Sequence, residues 1–85
     1  KQELLLNSWP NPADAAITVE LPVVLHRAGF DYSIVNSLGI PILSGSTDNA
    51  GSAITFDTSD FPSGLYFILL RNQDTHFVGK VLINR

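Results

Sequence analysis

The 85-residue chain contains no cysteine, and only five of its residues are Lys or Arg. Without cysteine it can form neither disulfides nor thiolate metal sites, and it has no cysteine nucleophile. Small secreted eukaryotic domains usually carry disulfides, so their absence favours a cytosolic protein or a bacterial exported one. Five basic residues against eight acidic ones give a net charge of −3. This balance argues against binding to nucleic acid or to an anionic lipid surface.

Long apolar runs and targeting signals are also missing. No run approaches the roughly 18 apolar residues of a membrane-spanning helix. No secretory signal peptide opens the chain, so an export signal would lie elsewhere or take another form. The first residue is Lys1 and not Met, which predicts a fragment of a longer protein or an artificial start. The length predicts one domain over residues 1–85, with residues 1–3 as a candidate linker.

What the sequence does contain is a series of short alternating runs separated by Pro, Gly and Asn. Such a pattern predicts an all-β fold, a single immunoglobulin-like β-sandwich of about seven mostly antiparallel strands. Pro41 begins the run of residues 41–46, which predicts an edge strand there. Residues 23–28 either continue a strand after a bulge or cross over as a loop. The predicted strands are residues 4–7, 16–21, 30–36, 41–46, 53–57, 65–71 and 75–84.

The segment from Pro62 to Tyr66 predicts a sandwich corner. Pro62 cannot donate to a strand ladder, so it ends any preceding pairing. Gly64 permits the positive φ that a tight corner often needs. Tyr66 can bury its ring and still hydrogen-bond to a nearby backbone group, as in the tyrosine corner of immunoglobulin-like domains.

The run after this corner is apolar almost to its end, which predicts a central strand buried on both faces or covered on its outer side. Leu65, Phe67 and Leu69 share the outer face and form a candidate partner surface. Two explanations are equally open. A partner protein or a second copy covers this face, or a loop such as residues 23–25 covers it within the chain.

The polar residues do not form a predicted catalytic, cofactor or metal site, and the chain is not expected to be an enzyme. His26 and His76 stand apart from other ligands, so we interpret both as partly exposed polar residues. Asp57 and Asp60 flank a Thr-Ser pair and are expected to polarise a turn, because Asp accepts backbone N–H bonds there. No Ser has His and Asp at a suggestive spacing.

Two aromatic residues outside the apolar runs allow a further hypothesis. Trp9 and Tyr32 could form a platform on which a sugar ring stacks. The favoured alternative is that Trp9 caps one end of the sandwich core, since large aromatic side chains usually bury most of their area.

Taken in order, five segments resemble the C-terminal sorting domains, type A, of the type IX (Por) secretion system of Bacteroidota. Trp9 stands where the family usually has Tyr or Phe, and Ile40 stands where a basic residue often follows Gly39. The match spans residues 4–85. The segments are Trp9-Pro10-Asn11-Pro12-Ala13, Ile17-Thr18-Val19, residues 32–39, residues 54–68 with the Gly-Leu-Tyr corner, and Gly79-Lys80-Val81-Leu82-Ile83.

The resemblance implies a non-catalytic signal at the C-terminus of secreted enzymes and adhesins. Such domains fold in the periplasm, and an outer-membrane translocon recognises them. A cell-surface sortase commonly cleaves before the domain and attaches the cargo to an anionic lipopolysaccharide. The implied partners are the translocon, the sortase and an upstream cargo domain, with a homodimer as a further candidate. No nucleic acid, metal or cofactor is expected, and the cargo ends at the cell surface or is secreted.

The resemblance also separates recognition residues from fold determinants. The candidate recognition residues are Lys80, Val81, Leu82, Ile83, Asn84 and Arg85. The motif residues expected to determine the fold are Trp9, Pro10, Asn11, Pro12, Gly39, Pro62, Gly64 and Tyr66. Two other functions remain open at this point, a carbohydrate- or adhesin-binding sandwich appended to an enzyme, and an inert spacer.

Overall fold

The computed structural model describes residues 3–10, 13, 15–73 and 75–84, with only the backbone of residues 3–5. It is a two-sheet β-sandwich, as predicted. One sheet has the order β1-β8-β7-β4-β5 and the other has the order β2-β3-β6. The strands are β1 (Glu3–Leu5), β2 (Asn7–Trp9), β3 (Ala16–Glu20), β4 (Phe30–Asn36), β5 (Pro41–Thr47), β6 (Ala53–Asp57), β7 (Gly64–Asn72) and β8 (Thr75–Ile83).

The first predicted strand is divided between the two sheets, so the described residues form eight strands where about seven were expected. β1 pairs with β8 in parallel, with Leu4 opposite Phe77, while β2 pairs antiparallel with β3. Leu6 joins the two segments and donates its N–H to the Val78 carbonyl at 2.8 Å. A Cβ placed on Gly79 would lie 3.3 Å from the Leu6 Cβ, so the missing side chain lets the chain cross between the sheets here.

The core lies between the sheets and is built by strict alternation along the strands. On β8, Phe77, Gly79, Val81 and Ile83 are buried while Lys80 and Leu82 are exposed. The period of two follows because successive side chains of a strand point to opposite faces. The buried cluster comprises Ala13, Ile17, Val19, Leu21, Leu25, Phe30, Ile34, Phe56, Phe61, Tyr66, Ile68, Leu70, Phe77, Val81 and Ile83.

The ambiguous segment after β3 crosses over as a loop and contains a short 3₁₀ helix, Val23–Leu25. The Leu25 N–H donates to the Pro22 carbonyl at 2.8 Å. Leu25 is fully buried in the core, whereas Val23 and Val24 face solvent. Within the residues that the structure describes, no helix is long and apolar enough to cross a membrane.

The predicted edge strand is confirmed, and a tight turn precedes it. β5 begins with Pro41 and is the last strand of its sheet. In the preceding turn, the Asn36 Oδ1 accepts the N–H groups of Leu38 and Ile40 at 2.9 and 3.0 Å. Gly39 has φ +82°, a conformation that favours glycine. Asn36 and Gly39 therefore fix the β4–β5 connection together.

Replacing Gly79 by Val is expected to destabilise the domain by about 1–3 kcal/mol, because branched methyls beside the Leu6 Cβ overpack the crossing point. Thermal or urea unfolding followed by circular dichroism measures the change. Ser46→Val, which adds an apolar side chain on an exposed strand position, is the control and should change stability by less than about 0.5 kcal/mol. Equal stability of the Gly79→Val variant and the parent would contradict this account of the crossing.

Candidate recognition surface

The corner predicted at residues 62–66 is present. Tyr66 is buried, and its hydroxyl donates to the Pro62 carbonyl at 2.6 Å. Its ring centroid lies 5.3 Å from that of Phe61. Gly64 has φ +155°, so the positive φ expected there is also found. The corner closes one end of the core and fixes where β7 begins.

The turn before the corner is held by Asp57. Its Oδ1 accepts from the Ser59 N–H at 2.9 Å and from the Ser59 hydroxyl at 2.7 Å. Thr58 is buried, and its N–H donates to the Ala15 carbonyl at 2.9 Å. Asp57 thus serves the turn as expected, and Asp60 is exposed beside it.

The outer face of the five-stranded sheet carries an apolar surface. Leu65 and Leu69 on β7 are each 37% exposed, and Leu82 on β8 is 45% exposed. Phe67 lies between the two β7 leucines and is half-buried. We call this surface the outer patch; it comprises Leu65, Phe67, Leu69, Val78, Lys80 and Leu82.

The β7–β8 register brings two separately predicted sets of residues together in the outer patch. Lys80 lies opposite Phe67, and Leu82 lies opposite Leu65. Because directly opposed residues of antiparallel strands share a face, these side chains are neighbours. The exposed residues of the C-terminal segment and the apolar face of β7 are therefore one surface.

The other candidate recognition residues are placed differently. Val81 and Ile83 are 2% and 1% exposed and belong to the core, so a partner of the folded domain does not reach them. Asn84 is exposed, and its N–H donates to the Ala13 carbonyl at 3.1 Å. Arg85 lies outside the described residues.

The outer patch is not covered from within the chain by the loop considered above. Residues 23–25 direct Leu25 into the core and leave Val23 and Val24 on the surface. Val23 lines a cleft with Leu6 and Glu20, away from β7. The explanation that this loop covers the outer face is therefore wrong. The prediction that β7 is buried on both faces is also wrong, since Leu65 and Leu69 are more than a third exposed.

The half of the outer face farther from the corner carries a pair of opposite charges. Asp31 and Arg71 form an exposed ion pair with an N–O distance of 3.6 Å. With Ser33, Leu69 and His76 they line a shallow groove of ≈ 310 Å³. An exposed pair of this kind contributes little to stability. The apolar side chains are thus concentrated towards the corner and the end of β8.

The expectation for Trp9 is wrong. Trp9 is 49% exposed and does not cap the core. In the β2–β3 register it lies opposite Thr18, on the outer face, while Ser8 takes the inward position opposite Val19. Tyr32 lies between the sheets, with its ring centroid 5.1 Å from that of Phe56. The two aromatic residues therefore do not form a joint platform.

The histidines stand apart, as expected. The His26 Nε2 is 2.9 Å from the Leu21 carbonyl oxygen. His76 lies on the five-stranded sheet and borders the groove at Asp31 and Arg71. Among the described residues, no three His, Asp or Glu side chains come together in a way that could hold a metal ion.

Comparison with known families matches residues 7–84 to the secretion system C-terminal sorting domain. The chain belongs to this family. The family is the sorting domain of the type IX secretion system, which implies Bacteroidota as the source. It is a signal domain and not a catalytic one, it implies interaction with the secretion machinery, and it directs export towards the cell surface or secretion. No curated protein sequence matches the chain.

The motif residues of the sorting domain are distributed over its structure. Pro10 follows Trp9 through a cis peptide bond, at the end of β2. Asn11 and Pro12 lie outside the described residues. Gly39 serves the β4–β5 turn and is far along the chain from Tyr66, which serves the corner. Among the motif residues that the structure describes, Trp9, Gly39 and Tyr66 lie in separate elements and do not converge on one site.

Sequence reasoning missed that the C-terminal residues and the apolar face are neighbours. Asn72 pairs with Thr75, so only two residues connect β7 and β8. If the loop is placed at residues 73 and 74, Asn72 pairs with Thr75. Five residues further along each strand, Phe67 then pairs with Lys80. The signal was present in the turn, because hairpin loop length fixes register.

Tyr66→Phe is expected to lower the stability of the sorting domain by about 1 kcal/mol, because the hydrogen bond to the Pro62 carbonyl is lost. The melting temperature should fall by roughly 4–8 °C for a domain of this size. Tyr32→Phe is a matched control, since no hydrogen bond is recorded for its hydroxyl within the described residues. A fall of the same size in both variants would show that the corner hydrogen bond is not the cause.

Proposed function

We propose that the outer patch is the surface that the outer-membrane translocon of the type IX system reads on this sorting domain. The observation that carries the proposal is the juxtaposition of Lys80 and Leu82 with Phe67 and Leu65. A folded sandwich hides most of its sequence, so a receptor can read only exposed faces, edges and loops. The patch places part of the C-terminal segment on such a face.

The composition of the outer patch suits a protein partner. Leu65, Leu69 and Leu82 each keep more than a third of their surface exposed. Contiguous exposed apolar surface on a small domain marks an interaction site, because burying it against a partner is favourable. Lys80 is the one charged residue among the patch members and is placed to orient the partner's docking.

The path of the chain leaves the outer patch accessible to the translocon. Glu3 pairs with His76 near the start of β8, whereas Ile83 ends β8 beside Gly64. These positions lie at opposite ends of a molecule whose longest dimension is 33 Å. A cargo domain joined before β1 would therefore lie at the end of the sandwich away from Leu65 and Leu82.

The same geometry supports the later steps implied by the family. We assign residues 1–85 to the sorting domain, with residues 1–3 as its junction to the cargo. The sortase would cleave at or before this junction, far from the patch, and attach the released cargo to the anionic lipopolysaccharide. The domain would fold during transit through the periplasm, since the patch exists only once β7 and β8 are paired.

Export of a fused passenger tests the role of the patch. The double substitution Leu65→Ser with Leu82→Ser should reduce surface display severalfold in a host with the pathway, because it removes the apolar contact and leaves the buried face intact. Val24→Ser is the matched control, since Val24 is an exposed apolar residue away from the patch. Immunodetection on intact cells measures display, and circular dichroism confirms that each variant folds.

Point substitutions are preferred to truncation at Lys80. Truncation removes Val81 and Ile83, which are core residues, so a loss of export could follow from unfolding alone. Normal display of the folded Leu65→Ser, Leu82→Ser variant would refute the outer patch as the recognised surface. Display lost equally in the Val24→Ser variant would refute the specificity of the patch.

A second candidate function is supported by one observation, the exposure of Trp9. A half-exposed tryptophan on the outer face of the smaller sheet could stack on a sugar ring, as in a carbohydrate-binding module. Trp9 is the single tryptophan of the chain, so its fluorescence reports on this position alone. We expect no change in its emission when soluble glycans are titrated, and a saturable shift would favour the binding module.

A further inference from the structure

We propose that β5 is a self-pairing edge, at which two copies of this chain join antiparallel into one continuous sheet. β5 runs from Pro41 to Thr47 and pairs only with β4 among the strands that the structure describes. None of its seven residues is charged. Charged side chains, Pro or bulges usually keep an edge strand from pairing with another chain. Here the proline and the bulge opposite residues 34 and 35 occupy one end, and residues 43–47 remain regular.

The outward backbone groups of β5 belong to Ser44 and Ser46. Asn36 on β4 donates its N–H across the turn towards the β5 side, at 3.0 Å. The backbone N–H and C=O groups of alternate residues in a strand face opposite neighbouring strands. Tyr32, like Asn36, therefore directs its backbone groups towards β5, and the backbone groups of its partner Gly45 face β4. Ser44 and Ser46 lie between the inward-bonding residues, so their N–H and C=O groups face the open edge.

These outward groups are self-complementary. If Ser44 pairs with Ser46 of a second copy, then Ser46 pairs with Ser44 of that copy. Gly45 then lies opposite Gly45 of the second copy, on the twofold axis. Antiparallel strands with this register exchange N–H···O bonds at both serine pairs. A twofold interface of this kind uses the same residues on both sides, as closed dimers do.

The side chains at the edge also match in this register. A Cβ on Gly45 would come within 2.5 Å of the Tyr32 hydroxyl oxygen, so the Tyr32 ring lies over Gly45. In the pair, both Tyr32 rings would border the glycine seam on the inner side. On the outer side Ser44 and Ser46 are exposed and uncharged, so no like charges oppose each other.

The other sheet edges fit self-pairing less well. β1 and β2 are three residues long, and β6 has five residues and ends at the charged Asp57. A single strand pair buries less area than a stable interface needs, so the β5 pairing is expected to depend on concentration. Sedimentation should detect it at high protein concentration.

Single cysteines give a register-specific test, because the chain has none of its own. Ser44→Cys and Ser46→Cys chains are mixed in equal amounts and oxidised mildly. Position 44 should lie about 5.5 Å from position 46 of the other copy between Cα atoms, which suits a disulfide, whereas identical positions are diagonal neighbours about 7–8 Å apart. The mixed disulfide should exceed the share expected from random collision severalfold. Ser37→Cys, in the exposed β4–β5 turn, is the control and should show no enrichment with either variant.

A second measurement uses the unmodified 85-residue chain and Ser44→Pro. The proline removes an outward N–H and the contact between the Ser44 and Ser33 hydroxyls at 3.2 Å, but no backbone bond to β4. It should therefore abolish the concentration-dependent dimer in sedimentation while circular dichroism still shows a folded domain. Ser44→Ala loses the same hydroxyl contact but keeps the N–H, and it should dimerise like the parent. A parent chain that stays monomeric at all concentrations, with disulfides at the random share, would overturn the proposal and leave the edge to a strand of a different protein.

Discussion

The pairing of β7 with β8 is the interaction on which the rest of the sandwich depends. Nine consecutive residue pairs join the two strands, from Gly64 opposite Ile83 to Asn72 opposite Thr75. β4 and β1 then add to the two free edges of this hairpin. Because side chains alternate, one register decides both which residues enter the core and which remain outside. A shift by one residue would exchange the two faces completely.

The corner at Tyr66 and the crossing at Gly79 hold this hairpin in place from its two sides. Tyr66 anchors the start of β7 to the Pro62 carbonyl. Gly79 lets Leu6 pass close to β8, so that the N-terminal segment can contribute to both sheets. The N-terminal and C-terminal parts of the sorting domain are thus packed against each other. The core is not complete without both.

Local patterns predicted the fold well, and long-range placement escaped them. Alternation located the strands, and a Pro-Gly corner located Tyr66, because both signals act over a few residues. The split of the first strand depends on Leu6 meeting Gly79, some seventy positions later in the chain. The exposure of Trp9 depends on the β2–β3 register, which its own neighbours do not determine. The juxtaposition of Lys80 with Phe67 required the exact hairpin position.

Recognition through the proposed outer patch would couple export to folding. Lys80 and Leu82 alternate with Val81 and Ile83, so the exposed residues are presented correctly only when their neighbours are buried. A receptor that contacts the outer patch therefore binds only the folded domain, and it distinguishes domains by the side chains they present there. The C-terminal segment cannot be recognised in this way as a linear peptide, because in an extended unpaired chain Phe67 and Lys80 are not neighbours. Selection for export would then act on the core as strongly as on the contacting side chains.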